Sequence, residues 1–239
     1  STLVSGQNII TVGDSTFTDL QEAVGYAISE ISLPPNVIVS IAGVYMPEDP
    51  YVIDLNNCNP ALESLTLEGT TGPSGTQING DPIDGQESNA RIFDIYNIGT
   101  KTLNIRNLTL HYDGLDNRLI RVTGRFGYCF NEEEDQGTLN LTGCVFIAYD
   151  TVLDVECNGI HSYPCINISG NQFNREPTLN HPAPAIRALY DCVFSKPISV
   201  VITNNIFINI PLPIETSANQ QDTIVHNNVF SGDSPYYAE

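Results

Sequence analysis

The stretch Val200-Val201-Ile202-Thr203-Asn204-Asn205-Ile206-Phe207 recurs in degenerate form along the chain, at 103–110, 139–146, 166–173 and 223–230. Each copy is a short strand of alternating apolar residues, a tight turn that carries Asn in most copies, and a second strand that opens on an apolar residue. The copies end on Leu110, Phe146, Phe173, Phe207 and Phe230, which lie 23 to 36 residues apart. A repeat of this length and strand content predicts a β-solenoid whose loops absorb the variable spacing.

The composition fits one acidic domain. The 239 residues can bury a sizeable core, and 28 acidic against 9 basic residues give a net charge of -19. Such a surface repels nucleic-acid phosphates and anionic membranes, so neither is an expected partner. The sequence contains no run of about 18 apolar residues, so no membrane-spanning segment is predicted. Neutral glycans, cationic partners and divalent ions remain candidate ligands. The chain starts at Ser1 without an initiator Met or a signal-peptide pattern, which predicts a processed or trimmed product.

An amphipathic helix is predicted ahead of the strands, over about residues 18–29, with Thr18 and Gln21 as a capping box. Its apolar stripe is Leu20, Ala23, Val24, Ala27 and Ile28. Residues 1–35 would cap the first coil, and 36–239 would form about six coils of the same single domain, 1–239. No second capping helix is predicted at the C-terminal end. A loop covers that end, the chain has been cut there, or another chain stacks on it.

The order of these elements resembles the entry into a known superfamily. A helix over 17–28 precedes an apolar strand over 37–41, the turn Gly43-Val44-Tyr45, a further apolar strand and the stretch Leu65-Thr66-Leu67-Glu68-Gly69. This order is similar to that of the pectin lyase-like superfamily, which includes pectinesterases, polysaccharide lyases and many surface proteins. The Asn-x-Phe turns resemble its asparagine ladder. The resemblance implies an all-β, right-handed parallel β-helix with an N-terminal capping helix. Independently, Asn tolerates left-handed turns, and stacked amides can hydrogen-bond along the axis.

An outward column of charged residues is the candidate site. In a register that buries Phe93, Ile120, Leu153 and Ile186, the column reads Asp94, Arg121, Asp154 and Arg187, with Asp54 before it and Glu215 after it. In the superfamily's enzymes this face holds the active-site cleft. There the column would serve ester hydrolysis, or hold Ca²⁺ and supply an Arg base in a lyase. The alternative is a ladder of ion pairs on an acidic surface. Asp94 and Asp154 would lie about 10 Å apart, which is wide for a cooperating pair.

The enzyme signatures of the superfamily are absent from the sequence. There is no Gly-x-Val-Asp-Phe-Ile-Phe-Gly or Leu-Gly-Arg-Pro-Trp stretch, as in pectinesterases, and no Gly-His-Gly and Arg-Ile-Lys pair, as in polygalacturonases. The sequence therefore favours a non-catalytic extracellular or cell-surface protein with a structural, adhesive or assembly role. A glycan is a candidate ligand, and self-association through the C-terminal end is a candidate contact. The alternative is a polysaccharide-active enzyme of lyase or esterase type that uses the charged column, with Ca²⁺ as the one candidate cofactor.

Cysteines and sequons give two further expectations. Six Cys in an acidic, Lys-poor domain favour disulfides and an oxidising compartment over buried thiols, and Cys157–Cys165 is the best single candidate pair. Asn140 and Asn167 begin sequons and are expected to face outward, so they are candidate glycosylation sites. The sequon at Asn107 is expected in the inner ladder, where it would be a poor acceptor.

Overall fold

The chain folds as a parallel β-helix built from three parallel sheets. The computed structural model describes residues 7–13, 17–56, 58–80, 91–112, 118–123, 137–148, 150–157, 164–175, 183–190, 199–216 and 223–232. The side chain of Cys157 and residues 233–239 lie outside the described part, so neither the Cys157 thiol nor any covering of the C-terminal end by those residues is described. In the part of the chain described, no helix is long and apolar enough to cross a membrane.

Each sheet receives one strand per coil. Sheet A contains β1 (Gln7–Val12), β2 (Asn36–Ile41), β5 (Ser64–Gly69), β8 (Thr102–Arg106), β11 (Gly137–Thr142), β14 (Pro164–Ser169), β17 (Ser199–Thr203) and β20 (Thr223–His226). Sheet B contains β3 (Gly43–Tyr45), β6 (Thr76–Gly80), β9 (Thr109–Tyr112), β12 (Val145–Ala148), β15 (Gln172–Asn174), β18 (Ile206–Ile208) and β21 (Val229–Ser231). Sheet C contains β4 (Tyr51–Asp54), β7 (Phe93–Tyr96), β10 (Arg118–Thr123), β13 (Thr151–Cys157), β16 (Ile186–Tyr190) and β19 (Ile214–Thr216). The strands β2 to β19 form six complete coils, and β20 and β21 begin another.

The apolar positions of the repeat stack into columns inside the coils. In sheet B the rings of Phe146, Phe173, Phe207 and Phe230 stack with successive centroid distances of 4.9, 4.8 and 5.1 Å. The sheet A column of Leu103, Leu139, Ile166 and Val200 is fully buried. Alternation along each strand therefore sorts residues between core and surface, since successive side chains point to opposite faces.

The turns from sheet A to sheet B each place one residue in the left-handed region. The φ angles lie between 55° and 65° at Asn107, Gly143, Gly170, Asn204 and Asn227. Asn and Gly tolerate this conformation best, which explains the composition of the repeat's turn. The residue that follows points into the core. The prediction that Asn107 joins the inner ladder is therefore wrong, because Asn107 is the left-handed residue and the buried Leu108 takes the inward position.

A helix, α1 (Leu20–Ser29), packs on the first coil as predicted. Its N-cap is Asp19 rather than Thr18, and the Asp19 carboxylate accepts a hydrogen bond from the Gln21 backbone at 3.2 Å. The Gln21 side chain serves another purpose. Its amide donates to the Val52 carbonyl at 3.1 Å and accepts from the Val52 N–H at 2.7 Å. Gln21 thus satisfies the open edge of β4 in the way that a neighbouring strand would.

Candidate functional site

The predicted charged column forms on sheet C, with one correction. The register places Asp94, Arg121, Asp154, Arg187 and Glu215 side by side on successive strands. Asp54 does not belong to this column, because it lies beside Tyr96 while Val52 lies beside Asp94. The shift follows from the core, where Tyr51 rather than Ile53 packs against Phe93, with ring centroids 5.8 Å apart.

Asp154 is the centre of an ion-pair network, and its side chain is completely buried. Arg187 binds it through two parallel hydrogen bonds, from Nε to Oδ1 and from Nη2 to Oδ2, both 2.8 Å long. Arg118 lies 2.7 Å from Oδ2 on the other side. The three residues come from the consecutive strands β10, β13 and β16, so one buried carboxylate ties three coils together. Two-point binding of this kind is among the stronger side-chain contacts.

Glu156 extends the network to a third guanidinium. Its carboxylate lies 3.1 Å from Arg118, 3.1 Å from Arg121 and 3.8 Å from Arg187. Burial acts to raise the pKa of Glu156. The hydrogen bond from Arg121 and the charges of the three arginines outweigh burial, so the pKa lies below its ordinary value. The pKa of Arg187 is raised, first because its side chain hydrogen-bonds to Asp154.

Asp94 is held by Tyr96 of its own strand and by Arg91, three residues earlier in the chain. Its Oδ2 accepts hydrogen bonds from Arg91 at 2.9 Å and from the Tyr96 hydroxyl at 2.7 Å. The bond to Asp94 raises the pKa of Tyr96. Arg121, the neighbour of Asp94 in the column, turns to Glu156 instead. Asp94 Oδ1 and Arg121 Nε are buried and have no hydrogen-bond partner among the described residues. Among the described residues, the expected ion pairs therefore form at only some steps of the column. Most of the other ion pairs of this network join a column residue to a residue outside the column.

The sequence did not identify half of the residues that build the network. Tyr96 and Glu156 are the next outward positions along β7 and β13, so strand alternation could have found them. Arg91 precedes β7 and Arg118 is the first residue of β10. At the start of a strand, the alternation of side chains does not predict which face a residue occupies. A compositional signal was available, since four of only nine basic residues in the chain gather here: Arg91, Arg118, Arg121 and Arg187. In the described ranges, no group of three or more His, Cys, Asp and Glu side chains is arranged to hold a metal ion.

A second polar column runs along the outside of sheet A. Asn167 donates to Asn140, and Asn140 donates to Asn104, both through the side-chain amides at 2.8 Å. Asn104 donates to the Thr66 hydroxyl at 3.1 Å. The two candidate glycosylation residues thus face outward in one column with Asn104, as expected, and their glycosylation stays a prediction. The continuous run of amide hydrogen bonds was not predicted, although the three Asn residues occupy the equivalent position of their strands.

The cysteines differ from the expectation. Cys58, Cys144 and Cys165 are free thiols. Cys165 Sγ lies on the outward face, 3.7 Å from the amide nitrogen of Asn167. The predicted Cys157–Cys165 disulfide is therefore not supported, since the Cys165 thiol lies against the outer Asn column. Cys144 is buried in the core, where burial raises its pKa to about 11.

Comparison of the chain with protein-family profiles, curated proteins and solved structures finds no match in any of the three.

Proposed function

We propose that the protein is a non-catalytic, extracellular or cell-surface β-helix with a structural, adhesive or assembly role, and that it belongs to the pectin lyase-like superfamily. The observation that carries the non-catalytic role is the position of Asp154. Both of its oxygens accept hydrogen bonds from guanidinium groups, and its side chain has no exposed surface. The location and the superfamily rest on the sequence resemblance and composition.

A carboxylate that attacks a substrate or transfers a proton must reach the reacting atom. Asp154 could do so only by leaving Arg187 and Arg118, which would leave buried charges uncompensated. Glu156 is paired with Arg118, Arg121 and Arg187, although 27% of its side chain is exposed. Asp94 is bound by Arg91 and Tyr96 through Oδ2, whereas its Oδ1 is buried without a partner among the described residues. This arrangement favours a structural role for the charged column, in which ion pairs on sheet C hold neighbouring coils together. It argues against the alternative of a lyase or esterase site.

The test is incubation of the protein with pectin, alginate and related polysaccharides, with and without Ca²⁺. We expect no turnover of any polymer. Asp154→Asn is the decisive variant, and Glu68→Gln is the control for loss of an ion pair outside the charged column, because Glu68 lies 3.0 Å from Arg106 on sheet A and is partly exposed. Turnover by the wild type and the control that disappears in Asp154→Asn, with the circular dichroism spectrum unchanged, would overturn the non-catalytic role.

Glycan binding is the second candidate function, and the outer column of sheet A favours it. The half-buried amides of Asn104, Asn140 and Asn167 form an uncharged strip on a strongly acidic chain. Uncharged donors and acceptors suit the hydroxyl groups of a neutral glycan. Cosedimentation with insoluble neutral polysaccharides tests this proposal. We expect binding by the wild type that Asn140→Ala weakens, whereas equal binding by both proteins would rule out this strip.

A further inference from the structure

The edge between sheets A and B contains a sequon at a left-handed turn. The sequence Asn107-Leu108-Thr109 fits the acceptor pattern for N-linked glycosylation, in which Asn is followed after one residue by Ser or Thr. Asn107 has a φ of 57° and is half-buried, whereas Leu108 after it is fully buried. The acceptor residue therefore belongs to a surface turn, which is the kind of position that can carry a bulky sugar.

The side chain of Asn107 is not committed to the fold. The backbone N–H of Asn107 donates to the Thr142 carbonyl at 3.1 Å, but its side chain forms no hydrogen bond with the described residues. The side-chain amides of Asn140 and Asn167 differ, because each donates to the next Asn of the outer column at 2.8 Å. A sugar on Asn107 would cost no hydrogen bond of the described fold. On Asn140 or Asn167 it would share the amide nitrogen with the column.

The two coils that follow Asn107 leave room along the edge. The turns stack in register, and the next left-handed residues are Gly143 and Gly170, before a side chain returns at Asn204. The side-chain oxygen of Asn107 extends along this edge, since a Cβ at Gly143 would lie only 2.8 Å from it. A Cβ at Gly170 would meet no atom within 4 Å apart from its chain neighbours. The corner beside Asn107 is thus free of side chains for two coils.

The third residue of the sequon determines when a sugar could be added. Thr109 is buried, and its hydroxyl donates to the Pro73 carbonyl at 2.6 Å. An enzyme that recognises both the Asn and the Thr of the sequon could reach them only before this coil closes. Attachment would therefore precede folding, and the folded edge would then have to accommodate the sugar, which the glycines beside Asn107 allow.

We propose that Asn107 carries an N-linked oligosaccharide that lies along the edge between sheets A and B, over Gly143 and Gly170. The donor class is an oligosaccharide joined through its anomeric carbon to a lipid diphosphate. The amide nitrogen of Asn107 forms a bond to that carbon, and the bond from the carbon to the diphosphate oxygen breaks. The lipid diphosphate leaves with the electron pair, and one amide proton passes to a base of the transferring enzyme. The inference rests on the extracellular or cell-surface location in the proposed function.

Secretion of the chain from eukaryotic cells behind an added signal peptide tests the proposal. Peptide N-glycosidase converts a glycosylated Asn to Asp, and peptide mass spectrometry reads the site. We expect Asp at position 107 after this treatment, and a faster-migrating band on a gel. Asn107→Gly should abolish both changes at this site, because Gly keeps the left-handed turn and removes the sequon. Asn204→Gly is the matched control, since Asn204 has a φ of 58° at the same turn position and begins no sequon. It should keep the sugar on Asn107.

The folded protein must also tolerate the sugar. The secreted protein should give the same circular dichroism spectrum before and after the sugar is removed. Secreted chains with an unmodified Asn107 would overturn the inference. So would a sugar on Asn107 that occurs only in chains retained inside the cell, because the folded edge would then not accommodate it. The added signal peptide supplies the secretory route, so these outcomes are separate from polysaccharide turnover, which tests the non-catalytic role.

Discussion

The side-chain oxygen of Asn205 accepts hydrogen bonds from both the backbone N–H and the side-chain amide of Asn171, at 2.9 and 3.0 Å. Asn228 receives the same pair of bonds from Asn205, at 2.9 and 3.0 Å. The amide of Asn205 also donates to the Ile168 carbonyl at 2.9 Å. Each Asn therefore satisfies buried polar groups of its neighbours along the axis, and the three amides form an inner ladder parallel to the Phe stack.

Asn205→Ala should lower the free energy of unfolding by about 3 kcal/mol, because it leaves buried donors of Asn171 and the carbonyl of Ile168 without partners. Asn167→Ala in the outer column is the control. It should cost about 1 kcal/mol, since water can replace the lost bonds at a half-buried site. Urea unfolding of both variants measures the difference. An equal loss in the two variants would contradict the special role of the inner ladder.

Cys144→Asn should extend the inner ladder by one coil. Cys144 occupies the ladder position before Asn171, and its Sγ lies 3.6 Å from the Ile105 carbonyl, the group that an Asn amide would reach. A new amide bond would add about 1 kcal/mol. We expect a higher urea midpoint than wild type, with Cys144→Ala lower than wild type. A Cys144→Asn midpoint below that of Cys144→Ala would show that the site cannot hold the amide.

Arg187→Ala should destabilise the protein more than Arg121→Ala does. Removing Arg187 leaves the buried Asp154 carboxylate with Arg118 as its one partner among the described residues, and breaking a buried pair costs about 3 kcal/mol or more. Arg121 is partly exposed, and among the described residues its guanidinium pairs with Glu156 alone, so its loss should cost about 1 kcal/mol. Thermal or urea unfolding of the two variants distinguishes them, and the reverse order would refute Asp154 as the centre of the network.

Stability should fall in acid partly through Glu156. Its pKa in the folded protein is below the ordinary 4.5, so its ion pairs stabilise the fold above pH 4.5. This contribution is lost as the pH falls through the lowered pKa, because the protonated carboxyl no longer attracts the arginines. Glu156→Gln should therefore show a weaker loss of stability below pH 4.5 than wild type. Parallel curves of unfolding free energy against pH for the two proteins would disprove this.

The free thiols should differ in reactivity in the folded protein. Cys58 and Cys165 are partly exposed, whereas Cys144 is buried and its pKa is raised to about 11. The thiolate is the reactive form, so native alkylation should label Cys58 and Cys165 and leave Cys144 unlabelled until the protein unfolds. Peptide mass spectrometry reads the labels. If Cys165 becomes labelled only after reduction, it is in a disulfide after all.

The limits of prediction differ between the two polar faces. The outer Asn column and most of the charged column follow from strand alternation, which needs only the period of the sequence. The position of Asp54 does not follow from alternation, because shifting the register of β4 against β7 by two residues keeps every side chain on the same face. Only the packing of Tyr51 against Phe93 selects the register there.

The sequence by itself determined the solenoid, since a repeat of alternating strands and left-handed turns at Asn or Gly leaves few other ways to bury its apolar residues. It also determined which faces carry charge. Tertiary structure decided which charges pair, because arginine side chains are long enough to reach several carboxylates on neighbouring strands. Arg121 accordingly binds Glu156 rather than Asp94. Arg118 and Arg187 both bind Asp154, one from the coil before it and one from the coil after it. The choice depends on burial and three-dimensional distance, which a single sequence does not contain.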